Sequence, residues 1–157
     1  MGIRIYTHQG QLLYEHGEDN LLHADLSGKN LHNANLAGAV LFHVNLDGAD
    51  LAGADLRGAN LSNAVLTNCN LRGATLKTAN LQGARLIGAD LTRANLSNTD
   101  CSLSDFSRSI LHRADLVQAD FNKAVLFQAN LTESVMEEVD LKHADLQEAD
   151  LSGARLF

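Results

Sequence analysis

The sequence predicts an all-β solenoid, a chain that turns a corner every five residues, and three observations carry that prediction. Leucine recurs at every fifth position, a small residue, usually Ala, stands two places before it, and Asp or Asn stands between the two, as in "DGADLAGADLRGANLSNAVL" from Asp47 to Leu66. Neither regular element suits this period. Five residues advance an α-helical side chain by roughly 500°, which scatters the leucines around the axis. A straight strand would send them alternately to opposite faces.

From Leu21 to Leu156 the register never slips, giving 28 positions in steps of five, of which Leu fills 24. The exceptions, Cys101, Phe106, Phe121 and Met136, are residues that pack well in a core. At the small position Val44, Cys69, Thr99, Ser104, Ser109, Ser134 and Val139 replace Ala, and Asp or Asn occupies the middle place in 20 of the 28 units. The unit therefore reads Ala-(Asp/Asn)-Leu-x-x. In a short extended piece, period two puts Ala and Leu on one side and Asp/Asn on the other, which leaves x-x as the corner. Leu71 and Leu91 are thus expected inside, with their neighbours Arg72 and Thr92 outside and tolerant of Ala.

Corner chemistry divides the chain. Before residue 100 the second x is Gly or Asn at 12 of 16 positions, including Gly48, Gly53 and Asn63. These are the residues that most easily take the positive φ of a type II turn. From Leu103 to Glu148 the ten second-x positions hold neither, and Arg108, Arg113, Lys123 and Glu133 are among them. Such residues lose roughly 1 kcal/mol or more each at positive φ. Type I corners are therefore expected after about residue 100, with a changed coil twist near "TDCSLSDFSRSI".

If each corner bends the chain by about a right angle, four units close a circuit, and circuits stack at about 4.8 Å. At this point the chain, over residues 19 to 157, resembles the pentapeptide-repeat proteins. That resemblance implies a right-handed quadrilateral β-helix of about seven coils, roughly 34 Å long, with Leu as the central inward residue and 20 residues per coil.

Residues 1 to 18 lie outside the repeat. "IRIY" and "QLLYEH" flank "THQG", two β-prone runs around a Gly-containing turn, and so predict a capping hairpin on a single β-helical domain, residues 19 to 157. Ile3, Ile5, Leu12, Leu13 and Tyr14 would cover the first coil, which otherwise exposes apolar side chains and unpaired backbone. Lys29 stands where Ala is expected, with Asp19 at an equivalent place, which marks local irregularity under the hairpin. At the other end Leu141, Leu146, Leu151, Leu156 and Phe157 form an apolar end: either Phe157 folds over the axis of its own monomer, or two copies meet end to end, with Leu156 and Phe157 as the candidate contact of that homodimer.

Several classes of function are excluded or disfavoured. With no 18-residue apolar run and no signal-peptide core, neither a membrane partner nor export is expected, and the chain reads as cytoplasmic. Cys69 and Cys101 fall on inward positions of different coils and read as reduced core residues. Phosphate-binding loops, zinc-protease motifs and paired nucleophile and base are missing, so the reading is a protein without catalytic residues or cofactors. His23 and His43, 20 residues apart, stack on adjacent coils beside Leu22 and Phe42, but two ligands do not make a zinc site, so no metal is expected. Asp100, Asp120 and Asp140 align in one column, with Lys123 and Lys142 nearby to offset their repulsion.

The resemblance implies two functions. One branch of the family imitates DNA and binds type II topoisomerases such as gyrase, protecting them from quinolones. DNA carries about one charge per 1.7 Å, or roughly 20 over such a rod, against a net charge of −7 here. The side running from Leu26 to Leu146 nets −3 and that from Leu31 to Leu151 nets zero. The leading expectation is accordingly a non-catalytic interaction or scaffold protein with a protein partner and no direct nucleic-acid contact, and the DNA mimic is the alternative. Long charged side chains and apolar residues in the later coils make Arg108, Arg113, Val117, Lys123 and Phe127 the candidate partner surface.

Overall fold

The computed structural model describes residues 2–18 and 20–156. From Asp25↔Asn45 to Val135↔Arg155, the middle residue of each unit forms a parallel bridge to the residue 20 places on. Four five-residue units therefore make one coil, and the chain is a right-handed quadrilateral β-helix. The inward assignment holds from Leu21 to Met136, where every residue of the leucine column is buried. Leu71 and Leu91 are fully buried, as are Phe106, Leu111 and Leu131. Arg72 is exposed, but Thr92 is only 7% exposed, with its hydroxyl donating to Asp90 Oδ1 at 2.6 Å, so it is not the free outer residue expected.

Backbone bookkeeping explains why the unit has five residues. The small residue's N–H closes the corner before it, as Ala24 N donates to Leu21 O at 3.0 Å. The middle residue's N–H reaches the small residue one coil back (Asn45 N to Ala24 O, 2.9 Å), and the leucine's N–H reaches one coil forward (Leu26 N to Asn45 O, 2.7 Å). The second x also reaches forward (Gly28 N to Asp47 O, 2.8 Å). One donor remains, the N–H of the first x, and the side chain of the Asp or Asn two residues earlier accepts it. All 20 Asp and Asn at the middle position do so, at 2.7 to 3.5 Å. The recurrent Asp/Asn is a hydrogen-bond acceptor for the corner, and only incidentally a charge.

The corners depart from expectation. All 27 second-x residues from His23 to Gly153 have positive φ, including Arg108 at 58°, Arg113 at 57°, Lys123 at 58° and Glu133 at 57°. The predicted change to type I corners does not occur, and the bridge register passes Asn80↔Asp100↔Asp120 without a break. The reason is the forward ladder. Type I and type II turns differ by turning over the central peptide, and here that peptide donates forward and accepts from behind, as in Arg113 N to Thr132 O at 2.9 Å. Turning it over in one coil would set N–H against N–H and break two ladder bonds. Unmade bonds of this kind cost about 1–3 kcal/mol each, more than the roughly 1–2 kcal/mol of a left-handed residue.

Core packing compensates its own irregularities. Phe106 and Phe121 are buried with ring centroids 5.2 Å apart at 57°. The smaller Cys101 lies one unit before Phe106 and one coil before Phe121, which makes room for both rings. Where Ser replaces Ala at the small position, Ser104 and Ser134 donate their hydroxyls to local carbonyls, Cys101 O and Leu131 O.

The hairpin consists of β1 (Ile3–Tyr6) and β2 (Leu12–His16), antiparallel. It adds to one side of the first coils, with Asn35 N donating to Tyr6 O at 2.8 Å and Thr7 bridging Ala34. Ile5 is buried and Ile3, Leu13 and Tyr14 pack partly on the core, but Leu12 is 48% exposed and contributes little to the cap. Lys29 is exposed and sits 5.6 Å over the Tyr14 ring, so the irregular unit resolves as a cation on an aromatic face. Asp19 lies outside the described residues.

Candidate interaction surface

The backbone repeats from unit to unit, and the outward positions are where the side chains differ most. The five candidate residues do not form one surface. Arg108, Arg113, the corner after Val117 and Lys123 follow one another at five-residue spacing and so occupy four successive corners. Arg108 and Phe127 meet at one corner, where Arg108 N donates to Phe127 O at 2.8 Å, and Lys123 bounds the same side at its other corner. Arg113 faces another side and is paired with Glu133 at 2.7 Å, which holds that carboxyl below its ordinary range. Val117 lies on the corner beyond it, and both Val117 and Phe127 are half-buried rather than exposed.

Sequence reasoning missed what the long corner side chains do. They reach one coil forward and pair in ladders: Arg108 Nε to Gln128 at 3.2 Å, Gln128 to Glu148 at 2.6 Å, and Gln118 to Glu138 at 2.8 Å. The 20-residue alignment carries that signal, with donor types at 108, 113 and 118 preceding acceptor types at 128, 133 and 138. In the earlier coils the same alignment sets Asn under Gly. A Cβ added at Gly53, Gly83 or Gly88 would fall 2.3, 2.7 or 2.8 Å from Oδ1 of Asn33, Asn63 or Asn68.

Other candidates are placed as follows. The His23 and His43 rings stack at 5.2 Å and 16°, with Phe42 edge-on to His43 at 4.0 Å. Among the described residues no group of three or more His, Cys, Asp or Glu is arranged to hold a metal ion. Asp100, Asp120 and Asp140 do form one bridged column, and each accepts its own corner N–H. Cys69 and Cys101 are free and buried, and burial pushes the Cys69 thiol up to about 12. Asp55 is nearly buried, and its hydrogen bond from Arg57, which outweighs the effect of burial, holds it below the usual carboxylate range. At the far end the leucines from Leu141 to Leu151 are half-buried and Leu156 is 55% exposed, while Phe157 lies outside the described residues.

The rod is not wholly convex. Two recesses flank the hairpin, about 440 Å³ beside Thr7, His8 and His32 and about 350 Å³ beside Ile3, Leu36 and Val40. No helix among the described residues is long and apolar enough to cross a membrane.

Fold and surface together define a leucine-cored solenoid that displays variable side chains on a fixed frame. The chain belongs to the pentapeptide-repeat family: the model described as pentapeptide repeats matches in 8 copies, over residues 20–58, 45–83, 84–122 and 119–156. It is similar in structure to Rfr23, a pentapeptide repeat protein from the cyanobacterium Cyanothece 51142, at 24% identity and a TM-score of 0.71, covering 72% of this chain and 91% of that one. It is also similar to AT2G44920, a pentapeptide repeat protein of the Arabidopsis thaliana thylakoid lumen, at 33% identity and a TM-score of 0.50, covering 60% and 70%. A third likeness is to trypsin-treated QnrB1 R167E, a plasmid-mediated fluoroquinolone resistance protein, at 22% identity and a TM-score of 0.66, covering 85% and 77%. No curated protein matches in sequence.

Proposed function

We propose that this chain is a non-catalytic interaction or scaffold protein that binds a protein partner along its sides. One observation supports the reading above others: inward positions are spent on Leu and Ala, while the outward positions, held on an invariant backbone, are the ones that vary. A surface of that kind encodes recognition by side-chain choice alone. Buried free thiols at Cys69 and Cys101 suit a reducing compartment such as the cytoplasm. The test is capture from the native cell extract with the full chain as bait, run beside a gyrase supercoiling assay. A specific protein recovered without inhibition supports the scaffold reading. The alternative, a DNA-mimicking topoisomerase modulator, is motivated by the QnrB1-like fold, and gyrase recovery with inhibition at micromolar protein would replace the scaffold reading with it.

A further inference from the structure

One side of the rod combines three properties found together on no other. It is the side whose middle residues are Val65, Arg85, Asp105 and Val125, bridged in that order. Three of these four are not Asp or Asn, so the corner N–H groups of Thr67, Ile87 and Phe127 have no acceptor among the described residues. Elsewhere Ser and Thr hydroxyls at this place also donate to the Asx oxygen, as Ser62 and Thr92 do. Beside Val65 the Thr67 hydroxyl is left buried and unpartnered.

Charge is the second property. Arg85, Arg108 and Lys123 face Asp105 as the one carboxylate between residues 63 and 128 on this side, and none of the three cations has a carboxylate within ion-pair distance among the described residues. In a chain of net charge −7 this is a locally basic field, lying between Asp25 and Asp47 at one end and Asp145 and Glu148 at the other. The third property is apolar surface. Leu103 is 58% exposed at one bounding corner, Phe127 is half-buried at the other, and Ile87 and Val125 are half-buried between them.

We infer that this side, between residues 63 and 128, docks an extended acidic segment of a partner protein, whose carboxylates meet Arg85, Arg108, Lys123 and the free corner N–H groups and whose apolar side chains seat on Leu103 and Phe127. Unpaired donors with cations select carboxylate oxygens, and the apolar anchors give the contact its centre. Duplex DNA offers oxygens but nothing for Leu103 and Phe127, and the acidic ends of this side oppose a long polyanion. The inference rests on the interaction-protein reading above and names the partner's chemistry.

Two variants test it with the full chain. Charge reversal at Arg85, Arg108 and Lys123 removes the field. Val65→Asn, Arg85→Asn and Val125→Asn together give Thr67, Ile87 and Phe127 the acceptor that other corners have, so this variant should melt no lower than the parent. The probes are a fluorescein-labelled peptide of alternating glutamate and leucine, its lysine counterpart, and a short DNA duplex, followed by anisotropy at two salt concentrations. The acidic peptide should bind, more weakly in high salt, and both variants should weaken it by about tenfold or more. Reversal at Arg57 and Lys77, on another side, should leave it unchanged. No binding of the acidic peptide, equal binding of the lysine peptide, tighter binding of DNA, or equal loss from the Arg57 and Lys77 variant would each overturn the inference. Recovery of the extract partner by the parent and both variants alike would remove this side while leaving the interaction-protein reading intact. Failure of the parent to recover any partner would remove that reading itself.

Discussion

The coils before residue 100 and those after it share one backbone but load its corners differently. In the first group Gly and Asn hold most second-x positions; in the second, ten successive positions from Leu103 to Glu148 carry longer side chains, all at φ between 56° and 61°. By local preference the two halves should turn differently. They do not, because each corner peptide from Leu103 to Glu133 is clamped between the coils before and after it, and those of Glu138, His143 and Glu148 are held from the coil before. The difference shows instead in how the halves join their coils on the outside, with Asn folded over Gly in the first and Arg, Gln and Glu ladders in the second. The second half thus carries the larger local conformational cost, outweighed by the same backbone ladder that runs through the first.

The largest expected effect tests what the halves have in common. Leu71 and Leu131 are both fully buried at equivalent depth, so Leu→Ala at either should cost about 2–5 kcal/mol. Arg72→Ala should cost less than about 1 kcal/mol, since its pair with Asp90 is on the surface, at 2.9 Å with the guanidinium exposed. Thermal melts of the three variants decide it, and equal shifts at Leu71 and Arg72 would contradict the inward assignment.

Corner substitutions come next and should separate the halves. Gly83→Ala puts a Cβ 2.7 Å from Asn63 Oδ1 at a φ of 66°, so it should cost about 1–3 kcal/mol. Gly48→Ala, with nothing within 4 Å of the new Cβ, should cost only the left-handed term, about 1 kcal/mol. Adding Asn63→Gly to Gly83→Ala should bring the cost down to that of Gly48→Ala. A double variant as unstable as Gly83→Ala alone would show that Asn63 is not the obstacle. In the second half the sign reverses. Leu103 sits at φ 61° with 58% of its surface exposed, and Leu103→Gly should stabilise by about 1 kcal/mol in a denaturant titration.

How much of this was legible in the sequence follows from the same clamp. The inward Leu column and the hairpin were readable, because each depends on a periodic pattern or a turn signal within a few residues, whereas the 20-residue coil followed from the family resemblance, since a five-residue spacing does not by itself fix four units to a coil. The later corners were not, since residues such as Arg113 and Lys123 report local preference, whereas their conformation is set by hydrogen bonds to residues 19 places away. The candidate surface was only partly readable for a related reason. Arg108, Lys123 and Phe127 come together on one side, but Arg113 and Val117 turn away, and no composition argument within the later coils resolves four corners. The signal that sets the proposed side apart was present in the sequence, in the places where Val65, Arg85 and Val125 replace Asp or Asn. It acquires meaning only once the Asx oxygen is known to serve the corner N–H.

The smallest expected effect is a pH dependence that should differ between an anchored carboxylate of the first half and an exposed one of the second. Asp55 is 6% exposed, and the Arg57 hydrogen bond holds its folded pKa below the ordinary 3.8. Glu133 is held below its ordinary 4.5 by Arg113, on an open corner. For a depressed carboxylate the unfolded chain takes up the proton first. Its stabilising contribution is therefore complete above the unfolded pKa and is lost as pH falls from there through the lower folded value. Both contributions should be full and constant above about pH 6, and their loss should lower the melting temperature as the solution is acidified below about pH 4. Arg57→Ala removes the largest cause of the first depression and Arg113→Ala that of the second. Because solvent screens the open corner, Arg57→Ala should flatten the acid limb of the melting profile more than Arg113→Ala, and 1 M salt should shrink the Arg113 effect more than the Arg57 effect. An Arg113→Ala profile flatter than that of Arg57→Ala at low salt would mean that the corner ladders of the second half contribute more to its stability than their exposure allows.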